Sequence, residues 1–246
     1  MQQTIWCENS PDSLLEISAR FCVNNLHVVT RSHFWSDTDI NSLCLPNEIG
    51  EKLFQVACEN SQAINDKFLH MFRHTRVTRV SLRGCSATDR GAKYLLRQRL
   101  RELDIHNCPQ FTVTSLNNIN KYSENLQSLY IGNSVQILPD YLQPEGTFSD
   151  SDSEHEHDGN VYEKQGFIIK APKLRKLCIR DLFVNRGSTF FDLLLKPLTE
   201  ISHLDLSGAY HKEGMGDFGW LLCLKKVVSL TLHNVQGIHK ILNHQF

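Results

Sequence analysis

Acidic and imidazole side chains crowd one short stretch of this chain, Glu154-His155-Glu156-His157-Asp158, and donors of that kind could hold a divalent cation. The stretch belongs to a flexible acidic tract, which lacks the second shell that fixes true metal ligands. His70 and His74 stand four apart on a predicted helix, but Met71 follows His70, so the H-E-x-x-H pattern of zinc proteases is missing. Asp104 and Asp205 occupy equivalent places in two similar segments, yet several segments separate them. Acid–base catalysis needs both carboxylates within reach of one substrate. No G-x-G-x-x-G, P-loop or G-x-S-x-G pattern occurs. The expectation is a non-catalytic protein with no cofactor and no metal.

The elements that carry these residues are repeats. Leu100-Arg-Glu-Leu103-Asp-Ile105-His-Asn-Cys108 reads L-x-x-L-x-L-x-x-C, and the same phase starts again at Val77, Leu126, Leu174, Ile201 and Val227. Spacings run from 23 to 27 residues except for one of 48, within the range of leucine-rich repeats. Leu103 and Ile105 alternate with Asp104 and His106, as in a short strand with one apolar face. The predicted class is α/β: a leucine-rich-repeat solenoid, a curved parallel sheet with a helical convex side, preceded by a small all-helical module. Boundaries are drawn at 1–74 for the module and 75–246 for about six repeats.

Composition narrows the function. The 246 residues carry a formal net charge of −1, which gives no global signal for a nucleic-acid or membrane-surface partner. No apolar run approaches a membrane span. The polar start, Met1 to Asn9, lacks a signal-peptide pattern. The eight cysteines are dispersed, with no C-x-x-C pair, as expected of reduced thiols in a cytoplasmic or nuclear protein.

The first segment offers two amphipathic helices. One starts at Ser10-Pro11, or at a capping box of Ser13 and Glu16, and runs to about Leu26. Leu14, Ser18 and Cys22 recur every four residues, flanked by Ile17 and Phe21. The second follows Leu45-Pro46, with Ile49, Leu53 and Val56 or Ala57 as its stripe, and a third covers Asp66 to Phe72. These helices could close the open end of the repeat stack. They could instead hold a partner, and the spacing of the two stripes favours that.

Ser13-Leu14-x-x-x-Ser18-x-x-x-Cys22 resembles the elongin C-binding box, S-L-x-x-x-C-x-x-x-aliphatic, with Ser18 in the cysteine position and Cys22 in the aliphatic one. Leu45-Pro46-x-x-Ile49-x-x-x-Leu53 resembles the cullin-2 box. With the repeats behind them, and with phrases such as SLLEISARFCVNNL, LPNEIGEKL and LRELDIHNC, the chain is similar to the zyg-eleven and zer-one family of ubiquitin-ligase substrate receptors, and closer to the zer-one branch. The resemblance implies an adaptor that joins elongin C (with elongin B), cullin-2 and its RING subunit to protein substrates. It assigns Leu14, Ile17, Ser18, Phe21 and Cys22 to elongin C, and Leu45, Pro46, Ile49 and Leu53 to cullin-2. It also implies recognition of N-terminal glycine degrons by a C-terminal armadillo-like array. The chain stops short of that array, as a fragment or shortened form would. A repeat scaffold unconnected with ubiquitin, or an F-box receptor, is the alternative.

Two features of the repeats bear on function. The 48-residue spacing holds one repeat plus an acidic insert near 143–166, expected to be a disordered loop, with Ser149, Ser151 and Ser153 beside acids as candidate phosphorylation sites. Outward strand positions form a concave face that includes Ser81, Arg83, Asp104, His106, Tyr130, Arg180, Asp205 and His233. Mixed signs suit a protein surface rather than nucleic acid. A solvated face with no partner is the other reading.

Overall fold

The computed structural model describes residues 13–25, 45–59, 64–132, 169–181, 183–184, 194–211, 221 and 223–235. Among the described residues the first helices are α1 (Leu14–Asn24), α2 (Asn47–Glu59) and α3 (Asp66–Met71). Strand and helix then alternate as β1 (Arg79–Ser81), α4 (Asp89–Leu96), β2 (Glu102–His106), α5 (Val113–Tyr122) and β3 (Ser128–Gly132). The described strands after these are β4 (Lys176–Arg180), β5 (Phe183–Val184), β6 (His203–Asp205), β7 (Tyr210–His211) and β8 (Ser229–Thr231). The acidic insert near 143–166, with Ser149, Ser151 and Ser153, lies outside the described residues.

Six strands form one parallel sheet in the order β1-β2-β3-β4-β6-β8, each strand beside the one from the next repeat. Register follows the leucines: Val80, Leu103, Leu129, Leu177, Leu204 and Leu230 lie side by side. The first five are buried, because the other face of each strand carries the polar residues and only this face can meet the helices. Ile105, Ile131 and Ile179 make a second buried row. β3 and β4 pair directly, although the starts of their repeats are 48 residues apart. A second, two-stranded parallel sheet joins β5 to β7, which the leucine pattern does not announce.

Backbone geometry repeats with the sequence. Before each strand, one carbonyl accepts two N–H groups of the following repeat. Thr78 accepts from Arg101 and Glu102, Arg101 from Gln127 and Ser128, Gln127 from Arg175 and Lys176, Arg175 from Ser202 and His203, and Ser202 from Val228 and Ser229. After β1, β2, β4, β6 and β8 the chain turns through a left-handed residue: Gly84, Asn107, Asp181, Gly208 and Asn234 have φ of 68°, 53°, 55°, 75° and 55°. Glycine, asparagine and aspartate are the residues that tolerate this conformation.

Carboxylates lock consecutive helices. Thr88 caps α4 and Thr112 caps α5. Asp66 accepts from the Thr88 N–H and hydroxyl, both at 2.7 Å. Asp89 does the same for Thr112, at 2.9 and 2.5 Å, and also accepts from the Ser115 hydroxyl. The series ends at Val113, where no carboxylate follows the cap. Asp89→Ala leaves those three donors unanswered and is expected to destabilise the fold by about 1.5–3 kcal/mol, as for hydrogen bonds to a charged group. Urea unfolding checks it.

The N-terminal helices share the core of the repeats. Phe54 of α2, Phe68 of α3 and Phe72 form an aromatic trio, with ring centroids 4.3–5.1 Å apart. All three belong to the same buried cluster as Leu82 and Leu95. The buried face of α2 is Gly50, Phe54, Val56 and Ala57, which keeps Val56 and Ala57 of the expected stripe but is rotated away from Ile49 and Leu53. Close approach explains the rotation. A Cβ at Gly50 would meet the Thr75 side chain at 2.6 Å, so only glycine lets this side of α2 lie so near.

Candidate functional site

Helix α1 starts at the second of its two sequence signals. The Ser13 hydroxyl accepts from the Glu16 N–H at 3.2 Å, and the Glu16 side chain turns away to Lys52 (2.7 Å) and Arg20 (3.1 Å). Hydrogen bonds from Lys52, then Arg20, hold the Glu16 carboxyl below its usual range. Arg20 also reaches Glu59 at 2.8 Å. Only Ala19 and Val23 of α1 are buried. The helix therefore lies on α2 through two small apolar residues and a charged clasp.

Its other side is apolar and open. Leu14, Ile17 and Phe21 are 80%, 54% and 67% exposed, and Ser18 lies among them, also exposed. Cys22 is half-buried. The order i, i+3, i+4, i+7 makes one continuous row. Leu15, half a turn from this row's centre, is exposed as well, a residue the four-residue spacing passed over.

The second set divides. Pro46 is exposed and Ile49 is 36% exposed, whereas Leu45 and Leu53 are half-buried against the core. The Leu45 N–H donates to the Thr75 hydroxyl at 3.2 Å, which ties the start of α2 to the repeats. Ile49 and Pro46 thus project from the helix that carries α1.

On the concave face, Arg83, Arg180 and His233 are exposed, Asp104, Tyr130 and Asp205 half-buried, and His106 buried. The His106 ring lies over Gly132, where a Cβ would meet it at 2.2 Å. Its Nδ1 donates to Asp104 at 2.7 Å, and its Nε2 makes no hydrogen bond. Arg83 donates to Asp104 at 3.1 Å. Arg180 donates to Asp205 through Nε and Nη2 at 3.1 and 3.0 Å, the same rung three repeats further on. Asp104 and Asp205 are three strands apart, roughly 14 Å, so no substrate bond lies between them.

Burial opposes ionisation of Asp104, but the hydrogen bonds from the His106 ring and N–H outweigh it and leave its carboxyl below the usual range. Asp205 behaves alike: burial opposes, while Ser207, Arg180 and Cys178 prevail. A depressed folded-state value stabilises the fold fully above the unfolded carboxylate value of about 3.9. That stabilisation is lost as pH falls through the folded value. Asp104→Asn is expected to make the acid limb of the stability curve, below about pH 4, shallower than in the unchanged protein. Urea unfolding at neutral and acid pH measures the difference.

Between these rungs lies a hollow of about 220 Å³, lined by Arg83, His106, Tyr130, Lys176, Cys178, Arg180, His203 and Asp205 among others. Burial pushes the Cys178 thiol up to about 12, so it is a neutral floor. Lys176, Cys178 and His203 were not singled out from the sequence. The strand alternation that picked Arg180 and Asp205 carries them too, two or four positions earlier.

No protein-family model matches the chain. It is 24% identical over 239 residues to the protein zer-1 homolog of Drosophila melanogaster, covering 94% of this chain and 27% of that protein. The zer-1 homolog of Homo sapiens is 27% identical over 248 residues, covering 92% and 30%, and that of Mus musculus 25% over 244, covering 92% and 29%. The chain spans less than a third of the length of these relatives. Among solved structures, a chain of the yeast Rad7 and Elc1 complex aligns with a TM-score of 0.47 and 21% identity, over 89% of this chain and 47% of that one. The chain is a relative of the zer-1 homologs, similar to them over more than nine-tenths of its own length.

Proposed function

We propose that this leucine-rich-repeat chain is a non-catalytic substrate-receptor subunit of a cullin–RING ubiquitin ligase, acting in the cytoplasm or nucleus. In this reading α1 docks on elongin C, with elongin B, while Pro46 and Ile49 of α2 meet cullin-2, which brings its RING subunit. One observation carries it. The row Leu14, Ile17 and Phe21 is apolar, helical and open, whereas the leucine row of the sheet is buried from Val80 to Leu204. A helix of that kind suits a hydrophobic groove. Burial of each side chain would contribute roughly 1.5–3 kcal/mol before the costs of association. Leu45 and Leu53, half-buried, would shape the start and middle of α2 more than touch cullin-2. The N-terminal glycine degrons implied by the family resemblance would be read by armadillo-like repeats rather than by the repeats described here.

Co-expression with elongin B and elongin C, followed by size-exclusion chromatography, tests the proposal. A stable ternary complex is expected, and addition of cullin-2 should extend it. Absence of elongin C from the complex, or capture of the F-box adaptor in its place, would overturn it. The concave hollow favours a second reading, a repeat scaffold that grips a protein without any ligase, and this would show as partner binding with no elongin C.

A further inference from the structure

We infer that the concave hollow around Tyr130 and Cys178 is a docking groove for an extended acidic segment of a protein partner. The inference deepens the receptor reading, since it names the chemistry of a substrate. Of the charged residues that line the hollow, Arg83, Lys176 and Arg180 are basic and Asp205 alone is acidic, although the chain as a whole carries −1. His106 and His203 also line it. The two arginines are held in place by Asp104 and Asp205, yet each keeps donors to spare. Arg83 uses one nitrogen on its carboxylate, and Arg180 uses two on a single oxygen. The Lys176 backbone N–H donates to Gln127, but its ammonium makes no hydrogen bond or ion pair among the described residues.

The dimensions fit a strand-like ligand. Lys176 and Arg180 lie four residues apart on β4, roughly 13 Å. Arg83 stands three strands away, roughly 14 Å. A peptide of about four extended residues covers that span. Its side chains would alternate between the cationic rim and the floor of Tyr130 and the neutral Cys178 thiol. Arginine beside a carboxylate acceptor, with an aromatic ring adjoining, is the composition that protein-binding surfaces favour. The acidic partner is preferred to nucleic acid because Asp104, Asp205 and Glu102 interrupt any basic stripe along the sheet.

A fluorescein-labelled peptide of alternating serine and glutamate, twelve residues long by design, is the probe, with its glutamine counterpart as control. Fluorescence anisotropy should show saturable binding of the acidic peptide by the full chain, weakened by added salt, and little binding of the glutamine peptide. Lys176→Glu, at a side chain that holds nothing else together, should weaken binding about tenfold, and Arg180→Gln by a similar factor. Both variants should still co-purify with elongin C, so loss of peptide binding and loss of the ligase reading are separate results. Equal affinity for the two peptides, no change in Lys176→Glu, or no binding at low salt would each refute the groove.

Discussion

Leu14→Asp is expected to abolish capture of elongin C, a loss of at least a hundredfold, while the unfolding midpoint stays where it is. The two effects separate because Leu14 is 80% exposed and belongs to no buried cluster. Its removal costs the partner's groove one apolar side chain, and the carboxylate adds an unpaired charge where water is excluded. A hundredfold loss corresponds to about 2.7 kcal/mol, within what those two effects together supply. Ile17 and Phe21, on the same row, should behave alike. Ser18→Cys, which restores the thiol of the box the sequence resembles, should tighten binding. Pull-down against an elongin B–elongin C complex, with thermal unfolding in parallel, reads both quantities. A midpoint that drops with Leu14→Asp would mean that the residue supports the fold, and the docking face would have to be sought elsewhere.

Phe68→Ala should do the reverse and lower stability by about 3–5 kcal/mol, the cost of deleting a buried aromatic ring. Phe68 meets Phe54 at 5.1 Å and Phe72 at 4.8 Å, and all three are sealed. The cavity cannot collapse easily, since the trio joins two helices to the first strand, and α4 packs on α3. A urea titration should move the midpoint with little change in slope. Elongin C capture should then fail only under conditions where the variant unfolds. An unchanged midpoint would show that α2 and α3 are not part of the cooperative core.

The strands were legible because a period of two has only one consequence. Once Leu103 and Ile105 share a face, Asp104 and His106 must share the other, and six copies in one phase leave no freedom of register. Helix faces are less constrained. On α2 the sequence offers Ile49 and Leu53 or Gly50, Phe54 and Ala57 as the inward side, and the choice fell to Thr75, a residue outside the helix. Nor does the chain advertise long-range carboxylate locks such as Asp89 with Thr112, although the Thr-Asp pair at 88–89 hints at a capped start. The left-handed positions were visible in principle, as Gly84, Asn107, Asp181, Gly208 and Asn234 all precede the last residue of the repeat phrase. The row on α1 was readable as a stripe, but exposure is a property of the assembled molecule. Spacing favours a docking helix over a capping one, but which side chains stand open is seen only in the folded molecule.

The double acceptors at Thr78, Arg101, Gln127, Arg175 and Ser202 hook each coil to the next through pairs of main-chain N–H groups. The Ser202 hydroxyl also donates to the Arg175 carbonyl, at 3.1 Å, but no side chain lining the hollow takes part, so the hooks are indifferent to the letters written on the concave surface. A lineage could rewrite Tyr130, Lys176 or His203 and change what it grasps, while the path of the chain stayed the same. The price of novelty in such an architecture falls on affinity and not on folding, which lets recognition drift as the scaffold is inherited intact.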